Sequence, residues 1–226
     1  MTIKHIDTYS KNWPVAVVGV VSFGYLLFVF PFHLGLAGWF YAMKDNPRYG
    51  IRPQDIPLAS FLWISLAIVI GLVTYSIIKQ RKNIKAFSEF FRESELCAPS
   101  PQNIARDRTG WGYLGIDTKK GTLLYINHPD TTIFNFFFPR DVRVMGFGMY
   151  DWKSIEVEGK KLTIYTSNPE LPSVSINTGK AEQLLEKINA MRSQSWIYEY
   201  SIPGCVENQA PKIAERNGIN LVLPPK

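Results

Sequence analysis

The sequence predicts an α+β protein: an N-terminal hairpin of two membrane-crossing helices, then a bent antiparallel sheet closed by one helix. Three observations carry this. Two long stretches lack Asp, Glu, Lys and Arg, Asn12–Met43 and Ile56–Ile78. From Gly112 the apolar residues recur with period two, the signature of half-buried strands. Over 179–193 the period becomes 3.6, with Ala181, Leu184, Leu185, Ile188 and Met191 on one helical face. The expected divisions are an N-terminal tail and first span (1–43), an outward loop (44–57), and a second span with amphipathic extension and linker (58–110). A sheet domain (111–194) and a docked C-terminal tail (195–226) follow.

The first span is almost continuously apolar from Val15 to Phe30. Trp13 and the group Trp39, Phe40 and Tyr41 stand at its ends, where membrane interfaces favour aromatic side chains. Pro31 is expected to kink the helix, because it removes a backbone donor and crowds the preceding turn. His33 is the sole titratable side chain within either span. Ionisable groups in a membrane are functional candidates, but its place along the helix puts it near the far headgroups, and the second span holds no titratable partner. Residues 35–37 offer the small side chains of a signal-peptidase site. The apolar run far exceeds the 7–15 residues of a signal core, so the segment reads as a retained span.

Residues 44–57 contain Pro47, Pro53, Pro57 and Gly50, which break helices, and they connect the two spans. The second span, Ile56–Ile78, is long enough as a helix, roughly 34 Å, for a hydrocarbon core of roughly 30 Å. Lys79, Arg81, Lys82 and Lys85 close it. Counting Arg92, seven basic residues (Lys4 and Lys11 among them) flank the hairpin's open end against three in the loop, Lys44, Arg48 and Arg52. Under the positive-inside rule both termini face the cytoplasm. The net charge of +6 is therefore a record of topology, with inner-membrane lipids as the partner and no nucleic acid. Beyond Asn83, the residues Ile84, Phe87, Phe90 and Phe91 continue a helical stripe, expected to lie at the membrane surface until Pro99 and Pro101.

In the sheet domain, 113–117 and 122–127 flank the turn Thr118-Lys119-Lys120-Gly121 and read as a hairpin. Thr132–Phe138 reads as an aromatic third strand, and 142–145, 152–157, 162–166 and 174–176 complete the set. Asn177 or Thr178 can cap the following helix. Beyond Ser195 lie Trp196, Tyr198 and Tyr200, a short helical stretch at 210–216 and the apolar run 219–223.

The sequence carries no recognisable catalytic pattern, so no enzyme is expected. His5, His33 and His128 share no metal spacing, and no zinc, Walker, dinucleotide or nucleophile-elbow motif occurs. Neither Cys97 nor Cys205 has a base beside it in sequence. Their separation does not mark a disulfide, and reduced thiols fit the cytoplasm. No catalytic, metal-binding or cofactor-binding residue is assigned, and no cofactor or small-molecule substrate is expected. Lys119 and Lys120 read as ordinary turn residues, and the phenylalanines of 134–138 as core.

Segments 115–126 (GIDTKKGTLLYI) and 162–176 (LTIYTSNPELPSVSI) resemble those of bacterial membrane-tethered pleckstrin-homology-like domains, in which one helix covers a bent sheet or barrel. The whole chain, notably 4–11 (KHIDTYSK) and 137–146 (FFPRDVRVMG), resembles the surface exclusion proteins of I-type conjugative plasmids. That resemblance implies an inner-membrane protein of the recipient that blocks redundant transfer from a donor carrying the same plasmid. The implied partner is a membrane component of the donor's type IV secretion apparatus. A membrane-anchored adaptor unrelated to conjugation is the alternative reading.

Overall fold

The computed structural model describes residues 5–6, 9–43, 55–107, 112–128, 141–169 and 171–223. The expected strand Thr132–Phe138 and all of the connecting loop before Asp55 lie outside them. The described chain divides into two units, a helical one over Trp13–Gln80 and a folded one that joins the N-terminal tail to residues from Arg81 onward.

In the helical unit, α1 (Tyr9–Gly24) leads through a π-helical turn, Tyr25–Val29, into α2 (Phe30–Met43). The wide turn answers the question posed by Pro31. Proline cannot donate to the carbonyl four residues back and its ring crowds that carbonyl. Here the Phe30 N–H reaches the Tyr25 carbonyl, five residues back, and the helix runs on unbroken. Next, α3 (Ile56–Glu93) is one 38-residue helix. Its Pro57 sits in the first turn, where a missing N–H costs nothing. Both helices are long and apolar enough to cross a membrane, and only 17% and 6% of their apolar windows are buried. Phe28, Phe32 and Phe61 are about 70% exposed, so these are not core helices of a soluble fold.

The end of α3 departs from expectation. The stripe predicted to lie on a membrane surface is buried in the folded unit, with Phe87 and Phe91 fully inaccessible and Ile84 nearly so. Asn83 also donates to the Asn217 carbonyl (3.4 Å). An amphipathic period reports that one face is covered, and lipid and protein satisfy it equally. The helix stops where Glu95 turns left-handed (φ 61°) and the Ser94 and Cys97 amides bond back to Phe90 and Phe91.

The folded unit holds two sheets. In the larger, β2 (Ile104–Arg106), β3 (Tyr113–Asp117), β4 (Thr122–Asn127) and β5 (Asp141–Phe147) form an antiparallel series. The smaller is a meander of β6 (Trp152–Glu158), β7 (Lys161–Thr166) and β8 (Ser173–Asn177). No ladder joins the two among the described residues, so the predicted bent sheet is realised as two sheets and no barrel closes. The strand-then-helix order holds. Helix α4 (Ala181–Arg192) buries Ala181, Leu184, Ile188 and Met191 in one core with Leu114, Ile116 and Leu123 of the larger sheet and Leu162, Ile164 and Ile176 of the smaller. Thr178 does not cap α4 in the expected way. Its hydroxyl accepts from Lys180 N (3.3 Å) in the turn before the helix.

The C-terminal tail is the largest departure from expectation. In place of a short docked helix, α5 (Ile202–Asn217) spans 16 residues. It is capped by Ser201, whose hydroxyl accepts from Gly204 N, and it tolerates Pro211 inside. It covers the face of the larger sheet opposite the main core. A Cβ on Gly146 of β5 would lie 2.5 Å from a methyl of Val206, so glycine there permits the close approach of helix and strand. After α5, β9 (Asn220–Val222) inserts parallel to β5, and β1 (His5–Ile6) pairs antiparallel with β9. The six-stranded order is β1-β9-β5-β4-β3-β2.

Candidate functional site

Two places in the described chain combine polar groups or accessible surface in ways that the fold alone does not need. The first lies between the spans. Five residues of the π turn and the start of α2 bring Tyr25 and His33 to one side, opposite Leu62 and Ser65 of α3. His33 is buried, with Nε2 2.8 Å from the Leu62 carbonyl and 3.1 Å from the Tyr25 hydroxyl. Its Nδ1 faces the Val29 carbonyl at 3.1 Å. The Tyr25 hydroxyl lies 2.5 Å from Ser65 Oγ, and Ser65 donates to the Leu62 carbonyl (2.7 Å). The Trp63 ring meets the imidazole edge-on. His33 thus has partners in the second span, contrary to the sequence reading, which weighed only titratable side chains there. A serine hydroxyl and a main-chain carbonyl fill the role, and neither is visible as a motif.

The second place is on the folded unit. Residues 194–200 form an aromatic strap across two turns. The Trp196 indole donates to the Met191 carbonyl (2.8 Å), and its ring lies over Gly121, where any Cβ would collide with it. Gly121 is also left-handed (φ 66°), which suits the hairpin turn after Lys120. The Tyr198 hydroxyl donates to the Gly121 carbonyl (2.7 Å) and accepts from Met149 N (2.9 Å). Burial raises its pKa above the ordinary tyrosine value, which keeps it a donor. The strap turns Ile197 outward, 96% exposed, with Tyr200 and the neighbouring Tyr150 at 49% and 67%. Among the described residues these three are the exposed large apolar side chains of the folded unit.

Beside Tyr150 opens a groove of about 280 Å³. Among the described residues it is lined by Val144–Phe147 of β5, Thr166–Asn168 at the end of β7, and Pro203, Val206 and Glu207 of α5. Tyr150 and Asp151 complete the described lining. Asp151 accepts from Gly148 N (2.6 Å) and holds that turn. Among the described residues the lining carries two carboxylates, Asp151 and Glu207.

The remaining sequence candidates have structural employment. Asp117, buried, accepts from the amides of Lys119, Lys120 and Ala98 (2.9–3.2 Å). Lys120 Nζ bonds the Glu95 carbonyl and lies 3.8 Å from its carboxylate. His128 Nδ1 bonds the Asp141 carbonyl at 2.7 Å. The Cys97 thiol donates weakly to Gly115 and Thr122 carbonyls, and burial pushes its pKa up to about 12. Cys205 is half-buried on α5 and free. Among the described residues no three His, Cys, Asp or Glu side chains gather where they could hold a metal. The phenylalanines of 134–138 lie outside those residues.

A family model described as exclusion-determining protein matches residues 1–211. No curated protein and no solved structure matches the chain. The family match starts in the N-terminal tail, runs through both apolar helices, both sheets and α4, and ends within α5. The chain therefore belongs to the exclusion-determining protein family.

Proposed function

We propose that this protein acts in the inner membrane of a recipient cell, where it excludes redundant conjugative transfer by recognising a membrane component of the donor's type IV secretion apparatus. Its family gives it an exclusion role. The hairpin is the anchor, and both termini lie in the cytoplasm. Two features support that topology: the excess of basic residues at the hairpin's open end, and the pairing of β1 with β9. Because residues 5–6 share a ladder with 221–222, the chain must cross the membrane an even number of times between them.

Recognition belongs to the folded unit, and the protein works by binding and not by catalysis. The observation that carries this is the exposed cluster Tyr150, Ile197 and Tyr200 beside the β5 groove. Exposed aromatic groups next to a cleft are the usual anchors of protein interfaces. The loop 44–57 is small beside the roughly 800 Å² per partner of a stable interface. The unit's resemblance to pleckstrin-homology-like domains agrees with a binding role.

The test exchanges segments between two exclusion proteins of different specificity and measures mating frequency into cells making each chimera. Specificity should travel with residues 100–226. If it travels with 42–57 and ignores 100–226, the folded unit is not the recogniser.

A further inference from the structure

The His33 ring, buried between the two apolar helices, faces more acceptors than a neutral imidazole can serve. Its Nδ1 lies 3.1 Å from the Val29 carbonyl one turn back, and its Nε2 lies 2.8 Å from the Leu62 carbonyl of α3. A carbonyl oxygen only accepts, and a neutral imidazole carries a single N–H. Placed on Nδ1, that hydrogen serves Val29, and the Tyr25 hydroxyl at 3.1 Å can donate to Nε2. The Leu62 oxygen then meets a lone pair at 2.8 Å. Placed on Nε2, the hydrogen serves Leu62 and leaves the Nδ1 lone pair against the Val29 oxygen. The imidazolium, with a hydrogen on each nitrogen, donates to both. Tyr25 then gives its own hydrogen to Ser65 Oγ (2.5 Å), and Ser65 donates to the Leu62 carbonyl (2.7 Å), so every donor of the cluster has an acceptor.

We propose that His33 is a proton-operated latch between the two helices: a bound proton holds the ring to Leu62 and Val29 together, and its release frees one of the two. The surroundings suit a cation held by dipoles. Among the described residues the groups that face the ring are the Tyr25 hydroxyl from the π turn, the Phe30 ring from α2, and the Leu62 carbonyl and Trp63 ring from α3. No carboxylate, ammonium or guanidinium is among them. Asp55, just before α3, precedes Leu62 by about two helical turns. A charge amid membrane helices is costly. Here the two carbonyls and the stacked Phe30 ring, 6.2 Å between centroids, offset that cost. At 1.5 Å per residue, Leu62 lies about 9 Å from the start of α3 and His33 about 15 Å from the end of α2. The proton therefore reaches the latch from the side that bears the connecting loop. The inference concerns the anchor, and it does not depend on which segment recognises the donor.

The experiment reads the latch directly. The full chain, carrying ring-labelled histidine and fluorinated tryptophan, is placed in lipid nanodiscs and followed by NMR from about pH 5 to about pH 8, the range in which histidine ordinarily changes charge. At the acid end the His33 resonances should show a hydrogen on both ring nitrogens, and one nitrogen should lose it as pH rises. The fluorine line of Trp63, whose ring meets the imidazole edge-on from α3, should shift with the same midpoint. His33→Gln keeps a donor for one carbonyl and cannot take up the charge. It assigns the His33 lines by subtraction and should leave Trp63 unresponsive to pH, while Trp63→Phe assigns the fluorine line. In mixed micelles with increasing SDS, the ratio of paired to separated helices should fall about threefold across the range, the size of one average bond between membrane helices. In His33→Gln it should not change. Far-ultraviolet circular dichroism shows whether that variant is folded, and if it is not, the two coincident titrations of the parent still decide. A His33 ring that keeps one protonation state throughout, a Trp63 line that ignores its titration, or an equal Trp63 response in folded His33→Gln would each overturn the proposal.

Discussion

At the scale of single residues, the two cysteines show how placement sets chemistry. Cys97 is enclosed between the end of α3 and the β3–β4 hairpin, and the cost of burying a thiolate holds its proton. At pH 8, iodoacetamide should modify Cys205 and leave Cys97 untouched until denaturant is added, as mass spectrometry of digests would reveal. The same burial links to stability. A thiol whose folded pKa, about 12, exceeds its unfolded value keeps its proton longer in the folded state. Its contribution is complete below about pH 9 and is lost as pH rises toward 12. Cys97→Ala should remove that part of the alkaline slope in urea unfolding. Sequence reading took both thiols as inert and reduced, without a way to rank them, because burial is a tertiary fact. Gly121 and Gly146 make the same point. As letters they announce a turn and a weak spot in a strand. Their use, beneath the Trp196 ring and the Val206 methyl, depends on residues more than fifty positions away.

At the scale of elements, the two apolar helices are joined by a hydrogen-bonded cluster of Tyr25, His33, Ser65 and the Leu62 carbonyl. Tyr25→Phe removes the hydroxyl that joins His33 to Ser65. It should weaken the helix pair by about 0.6 kcal/mol, the average for such bonds between membrane helices. SDS titration in mixed micelles, followed by far-ultraviolet circular dichroism, measures this. An unshifted midpoint would mean that the cluster adds nothing to the pairing. Both long apolar helices were legible in the sequence because charge-free length is a local property. The π turn was legible only as a proline problem, and its solution one turn earlier needed coordinates. The amphipathic end of α3 was legible as a helix with a covered face, and the identity of the cover was not. Phe87 and Phe91 lie inside the folded unit.

At the scale of the whole molecule, the strand meanders and α4 followed from periodicity, whereas the completion of the larger sheet did not. β9 is three residues long and pairs parallel with a strand eighty positions earlier, and nothing in a run such as Asn220-Leu221-Val222 announces its partner. Removal of residues 218–226 tests this arrangement. It deletes the buried Leu221, Val222 and Leu223, at about 1.5–3 kcal/mol per side chain. The thermal midpoint of the folded unit should fall sharply and protease cuts should appear within β5, while the chain still sediments with membranes. An unchanged melting curve would mean that β9 is dispensable. The pairing of β1 with β9 also sets a timetable for synthesis. At 5–20 residues per second the ribosome needs on the order of 10–40 s to travel from the first of these strands to the second. Through that interval β1 waits for its partner, and a chain that stalls late lacks the strand that joins β1 to β5.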